Sequence, residues 1–303
     1  MGIKKYSDRL DDILDVNQEV EWVTEGYGGD QGPTEGPLWW HEDSALVFSD
    51  IHNNRRITWK QGEEAKVLQD GSNQSNGLTR DLKGRLVACE HMTRRVIRLE
   101  HDGQTTVIAN SFQGRQLNRP NDVIVKSDEA MYFTDPWSHR VPQNEWDLTF
   151  AGVYRVSPDL GTLTLLVSDF VDPNGLAFSP DEKLLYVNDS RRGIIRSFEV
   201  TGAGILNMAS DKVFCDLNGS ASGVPDGMKV DSLGNVYCGG SGGLWIIDPS
   251  GEPLGIVEHG ESATTNVGFG GADWDQLFFT TETTVGFVKL KVKGTQVPIG
   301  VAD

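Results

Sequence analysis

The sequence predicts an all-β chain closed into a six-bladed β-propeller, with a short N-terminal helical extension. Two observations carry this expectation. Short runs of Val, Ile, Leu, Phe and Tyr alternate along the chain with clusters of Gly, Asn, Asp and Ser, and 35 glycines among 303 residues supply turns. One pattern also recurs six times: a polar residue, a short apolar run, a turn with Asp, Gly or Asn, and a second run.

The six copies are EGPLWWHEDSALVFSD (35–50), NGLTRDLKGRLVACE (76–90), NDVIVKSDEAMYFTD (121–135), NGLAFSPDEKLLYVND (174–189), DGMKVDSLGNVYCGG (226–240) and NVGFGGADWDQLFFTT (266–281). Their starts lie 40 to 53 residues apart, the length of one propeller blade. Each copy reads as a β-hairpin. The residues after it add one or two strands, such as RRVIRLEHDGQTTVIA (94–109) and GGLWIIDPSGEPLGIVE (242–258). Four strands per repeat describe a blade, and a closed ring suits the chain better than a solenoid, because no capping repeats are evident.

At the N-terminus, SDRLDDIL (7–14) offers Ser7 as a helix cap, with Leu10, Ile13 and Leu14 on one face, so a short helix is expected outside the ring. Residues 1–20 read as an extension and 21–303 as a single propeller domain. Closing the ring requires a strand from one end of the chain to complete a blade made by the other. EVEWVTEG (19–26), VGFVKLKV (285–292) and VPIGVA (297–302) are the available segments.

Lys and Arg number 27 against 44 Asp and Glu, a formal net charge of −17, which opposes phosphate backbones and anionic lipid. Nucleic acid and membrane are therefore not expected as partners. No stretch has the apolar length of a signal peptide core or a membrane span, so a soluble, cytoplasmic protein is expected. Cys89, Cys215 and Cys238 form no C-x-x-C pair and suggest neither a disulfide framework nor a zinc-thiolate site. Nothing in the sequence fixes an oligomeric state.

In a propeller the first strand of each blade lines the axis, so equivalent positions converge. The leading residues of the six copies are Glu35, Asn76, Asn121, Asn174, Asp226 and Asn266, and all carry a side-chain oxygen. Turn residues alone would mix in Gly, Ser, Pro and Lys, and Glu is not a favoured turn residue. An inward ring of carboxylates and carboxamides would instead coordinate one hard divalent cation, with Glu35 and Asp226 supplying two negative charges to balance it. Glu35, Asn174 and Asp226 are the residues for which the metal reading is preferred; for Asn76 and Asn266 a bond to backbone groups at the blade starts is an equal alternative.

At these positions the chain resembles the SMP-30/gluconolactonase/luciferin-regenerating-enzyme (LRE) family, and within it the bacterial gluconolactonase branch. The motifs are EGP at Glu35, NRPND (118–122), PNGLAFSPD (173–181), PDGMKVDSLGNVY (225–237) and GFGGADWDQLFFTT (268–281). The resemblance implies a six-bladed propeller with one catalytic divalent metal in its channel, held by Glu35, Asn174 and Asp226. It implies Asn121 as a further metal or substrate contact and Arg119 as a substrate-binding residue. The implied cofactor is Ca²⁺ in the first place, with Mg²⁺, Mn²⁺ and Zn²⁺ as alternatives. The implied reaction is hydrolysis of a small-molecule sugar lactone, such as a glucono-1,5-lactone, to the aldonic acid. The set Glu35, Asn121, Asn174 and Asp226 is also similar to the catalytic calcium site of squid-type diisopropylfluorophosphatase, so an organophosphate hydrolase is the alternative enzyme. A non-catalytic binding propeller with a structural ion is the alternative outside enzymes.

Lactone hydrolysis needs a polarised carbonyl and an activated water, and Asp226 is the candidate general base, because a carboxylate at the edge of a metal can also take a proton. His91, just after the second hairpin, is expected to face the channel as a substrate contact. The long connection PWSHRVPQNEWDLTFAG (136–152) offers Trp137, His139 and Trp146 as pocket-lining residues. GGSGG (239–243) fits the pattern of a nucleophile elbow, but LWIID follows it where a helix is required, so Ser241 is expected in a blade turn.

Overall fold

The computed structural model describes residues 2–28, 32–137, 142 and 145–298. Six antiparallel sheets follow one another along the chain and form the six blades of a propeller. Blade 1 comprises Thr34–Trp40, Ala45–Asp50, Arg55–Lys60 and Lys66–Asp70, and blade 2 comprises Ser75–Arg80, Leu86–Glu90, Arg95–Leu99 and Thr105–Ala109. Blade 3 comprises Val123–Val125, Met131–Asp135, Ala151–Val156 and Leu163–Phe170, and blade 4 Pro173–Phe178, Leu184–Asp189, Ile194–Val200 and Leu206–Asp216. Blade 5 contains Met228–Val230, Val236–Gly240, Gly243–Ile247 and Pro253–Glu258, and blade 6 Asn266–Gly270, Gln276–Thr280 and Thr284–Lys289.

The N-terminal side closes the ring: Glu21–Glu25 pairs antiparallel with Thr284–Lys289 and becomes the outermost strand of blade 6. Gly2–Lys5 adds a fifth strand to blade 5 beside Pro253–Glu258. Between the two, Asp8–Asp12 forms one turn of 3₁₀ helix, with the Ser7 hydroxyl accepting the Arg9 N–H. Leu10, Ile13 and Leu14 are buried in the apolar cluster that joins blades 5, 6 and 1. Ser241 lies in the turn between two strands of blade 5 and donates to the Ala221 carbonyl, so the elbow-like motif is a blade turn.

The apolar core is divided among the seams between blades: Leu38, Val47, Leu78 and Ala88 between blades 1 and 2, Val123, Phe133 and Val87 between 2 and 3, and Met228, Cys238 and Ile195 between 4 and 5. A recurring device sits at the end of the second strand in blades 1 to 4. Asp50, Glu90, Asp135 and Asp189 are buried and accept hydrogen bonds from the loop that enters their blade: Asp50 from the Gly28 N–H, Glu90 from the Asn73 amide, Asp189 from the Val171 N–H. One residue earlier, the Ser49 hydroxyl, the Thr134 hydroxyl and the Asn188 amide reach across the seam to the carbonyls of Asn76, Asn174 and Asp226. The second strands of blades 1, 3 and 4 thus hold the leading residue of the next blade in place.

The inner strands run from the leading residues toward the other end of the channel, which the C-terminal segment covers. Thr295 donates from its hydroxyl to the Val230 carbonyl, and the Gly294 N–H to Trp274. An apolar cavity of about 250 Å³ lies there, walled by Val125, Phe178, Val230, Phe269 and Val297. Lys229 lines it as well, and none of the six leading residues does. Among the described residues no helix is long and apolar enough to cross a membrane.

His259 links packing to acid stability. Its ring stacks on Phe279, accepts the Glu261 N–H at Nδ1 and therefore donates from Nε2 to the Thr264 hydroxyl. Burial lowers its pKa to about 4. The unfolded chain then binds a proton below the ordinary value of 6.5 that the folded chain refuses until about 4, so stability falls as pH drops through that window. His259→Gln is expected to remove up to about 3 kcal/mol of the acid-induced loss. Denaturant midpoints of both proteins at pH 7 and pH 4.5 check this, and equal losses in the two would refute it.

Candidate active site in the central channel

Backbone irregularity aims the leading residues. In blades 1, 2 and 4 the ladder between first and second strands shifts register between Glu35 and Leu38, Ser75 and Leu78, and Pro173 and Leu176. In blades 3 and 5 pairing starts only at Val123 and Met228, two residues after Asn121 and Asp226. A bulge or late start turns a side chain off the pleat and toward the axis. Glycine follows the leading residue in four of the six copies and is required by close approach. A Cβ on Gly36 would lie 2.4 Å from the Asn76 carbonyl oxygen, and one on Gly175 would lie 2.3 Å from that of Asp226. Blade 6 has Val267 at this position and a regular register from Asn266 to Gly270.

Glu35 is buried, and its Oε2 accepts the Gly36 N–H and the Asn266 amide, each at 2.8 Å. Asn266 Oδ1 accepts the Val267 N–H, so both ends of this carboxamide are used and Asn266 positions Glu35. Asp226 is partly buried, with its carboxyl bonded to the Asn174 side chain. Burial is the main cause that raises the Asp226 pKa far above the usual carboxylate range, and the charges of Glu35, Asp172 and Asp122 add to it. Glu35 is raised for the same main reason, against the pull of Asn266, with Asp122 adding to the rise and Lys229 opposing it.

Asn121 Oδ1 and Asn174 Oδ1 are buried without a hydrogen-bond partner. Asn174 gives its amide N–H₂ to Asp226, which leaves the oxygen as the free end. Two crowded carboxylates with raised pKa values and two orphaned carboxamide oxygens fit a hard divalent cation, which would relieve both defects. Among the described residues no three His, Cys, Asp or Glu side chains form a metal cluster, so any such ion would depend on the asparagines.

Asn76 turns toward a histidine. Its amide is 3.0 Å from His91 Nε2, and its own Oδ1 and His91 Nδ1 are buried without partners. With the Asn76 amide donating, His91 carries its hydrogen on Nδ1. Burial lowers the pKa of His91 well below its ordinary value, helped by the charges of Arg119 and His52, so the ring is a neutral donor. Arg119 is half-buried, and the N–H groups of Asn118 and Arg119 are fixed by Asp135 at 2.8 and 2.7 Å. Burial pushes the Asp135 pKa up to about 7 despite those two bonds.

The connection after blade 3's second strand lies alongside. Trp137 is half-buried, with its indole N–H 3.4 Å from the Leu148 carbonyl, and Trp146 faces the Arg94 guanidinium at 4.8 Å. Asn118 donates to the Phe150 carbonyl, tying this segment beside Arg119. His139 lies outside the described residues. The sequence reading missed Asp122, Asn188, Lys229 and His52, which act on residues of other blades, and Asp172, which pairs with Arg191 of its own blade. For Asp122 and Lys229 a signal existed: they directly follow the motif residues Asn121 and Met228.

A family model for the SMP-30/gluconolactonase/LRE-like region matches residues 33–283. A gluconolactonase of Zymomonas mobilis is 31% identical over 96% of this chain and 87% of its own length. Pentonolactonase XacC of Haloferax volcanii is 28% identical over 82% of this chain and 80% of its own. Among solved structures, the gluconolactonase XC5397 of Xanthomonas campestris superposes with a TM-score of 0.84 at 30% identity, covering 96% of this chain and 95% of that one. The motifs that surround the channel residues fall inside the matched span, and the chain belongs to the SMP-30/gluconolactonase/LRE-like family.

Proposed function

We propose that the protein is a metal-dependent lactonase that opens a sugar lactone, such as a glucono-1,5-lactone, to the aldonic acid. The observation that carries this reading is the pairing of Glu35 and Asp226 with the unpartnered oxygens of Asn121 and Asn174 in one channel. Relatives named gluconolactonase and pentonolactonase support the substrate class. Ca²⁺ suits the all-oxygen, mixed-charge donor set best, with Mg²⁺, Mn²⁺ or Zn²⁺ as substitutes.

A bound cation would supply polarisation of the lactone carbonyl and a lower pKa for the attacking water. The remaining work falls to the protein. Asp226, oriented by the Asn174 side chain, takes the proton as water adds to the carbonyl carbon. The ring C–O bond then breaks, and the proton passes to the departing hydroxyl oxygen. Arg119 and the His91 Nδ1–H bind substrate oxygens, while Asn266 and the Gly36 N–H hold Glu35 in place.

The test is hydrolysis of a panel of aldonolactones and one phosphotriester, with and without chelator. Metal-restorable loss of lactone turnover in chelator is expected. Turnover of the triester alone would replace this reading with an organophosphate hydrolase, and no metal-dependent turnover would leave a binding propeller.

A further inference from the structure

The channel contains a cation of its own. Lys229 follows the leading motif of blade 5, and its Nζ lies 3.7 Å from Asp122 Oδ2 and donates to the Met228 carbonyl at 3.0 Å. Asp122 is 1% exposed. Its Oδ1 is occupied by the Val123 N–H, and its Oδ2 makes no hydrogen bond, so the ammonium is the charge that faces it. Glu35 lies in the field of both Asp122 and Lys229, and Asp226 in that of Glu35 and Asp122. Asp172, the remaining carboxylate near Asp226, faces Arg191 at 3.8 Å and so contributes a matched pair. Arg119, the other neighbouring cation, acts on His91.

Glu35, Asp122 and Asp226 with Lys229 therefore leave the channel with a fixed charge of −2 when all are ionised. Without Lys229 the same cage would carry −3. An ammonium on a four-carbon stem is a permanent part of the fold, whereas an ion equilibrates with solution. Ion selectivity in an oxygen cage depends on the charge its ligands carry.

We propose that Lys229 is a built-in counter-cation that sets the fixed charge of the channel and thereby its preference for a divalent over a trivalent ion. The proposal rests on the metal reading above, and its test keeps the two separable. The affinities of the native protein for Ca²⁺ and Tb³⁺ are measured by calorimetry and by tryptophan-sensitised terbium luminescence, alongside Lys229→Met, Asp122→Asn and the double variant. Lys229→Met is expected to raise the Tb³⁺ to Ca²⁺ affinity ratio by about tenfold or more, because one fixed charge acts more strongly on a third ionic charge than on two. Asp122→Asn is expected to lower the ratio, and the double variant to return it to the native value.

If the native protein bound neither ion, the metal reading itself would fall and this inference with it. Binding of both ions by the native protein, with an unchanged ratio in folded Lys229→Met, would overturn the inference alone and leave Lys229 as a structural partner of Asp122. Should Lys229→Met not fold, the Asp122→Asn and double variants decide: a ratio unchanged in Asp122→Asn also overturns the inference.

Discussion

Asp226→Asn is expected to lower lactone turnover by at least about a hundredfold, the lower end of what a positioned general base contributes. Asn keeps the volume of Asp and one carbonyl oxygen, so the cage retains a donor there but loses the group that takes the proton. The backbone at this position is held independently of the side chain, since the Asn188 amide donates to the Asp226 carbonyl. Misfolding can be separated from lost chemistry by the sign of the stability change. In the metal-free protein the Asp226 carboxylate is crowded by Glu35, Asp172 and Asp122, and burial penalises its charge. Removing it should leave thermal stability in chelator equal to or above that of the native protein, because an uncompensated buried charge costs more than a carboxamide. Turnover within a few-fold of native would remove Asp226 from the role of base. A large fall in stability together with turnover would make its role architectural.

The sequence already disclosed the six leading residues, because a propeller repeats them at a fixed place in each hairpin and all six share one chemical character. What it could not disclose was how each is aimed. Asn266 and Asn174 look alike in sequence, yet Asn266 donates to Glu35 from a regular strand while Asn174 leaves an oxygen free at a bulge. The distinction lies in the next residue, Val267 against Gly175, and in whether a neighbouring blade approaches closely enough to need glycine. Asn76 similarly turns to His91, a contact created by the end of the same hairpin folding back beside its start. The contact between Asp122 and Lys229 was not legible for another reason: the pair spans blades 3 and 5, more than 100 residues apart, and only closure of the ring brings them together. The need for a terminal strand to close that ring was legible. That Glu21–Glu25 does it, with Gly2–Lys5 extending blade 5, depends on edge pairing that local patterns do not specify.

Two neighbouring substitutions should separate ligand from scaffold. Asn174→Ala removes a carboxamide whose oxygen has no hydrogen-bond partner among the described residues and whose amide bonds to the Asp226 side chain. Its cost to the metal-free fold should be about 1 kcal/mol, the worth of one hydrogen bond. Metal affinity should fall by at least about tenfold, as expected when a cage loses an oriented donor. Gly175→Ala reverses the pattern. The added methyl would lie 2.3 Å from the Asp226 carbonyl oxygen and 2.8 Å from the Met228 nitrogen, and both are backbone atoms that cannot rotate away. The inner strands of blades 4 and 5 must then separate, at a cost of roughly 3 kcal/mol, the upper part of the usual overpacking range. Thermal melts in chelator should therefore show a clear drop for Gly175→Ala and a small one for Asn174→Ala. Calcium titrations at a temperature where both are folded should show the loss concentrated in Asn174→Ala. Should Asn174→Ala bind calcium as the native protein does, its free oxygen is not a ligand, and the ring of donors is wrong at the residue whose geometry supports it best.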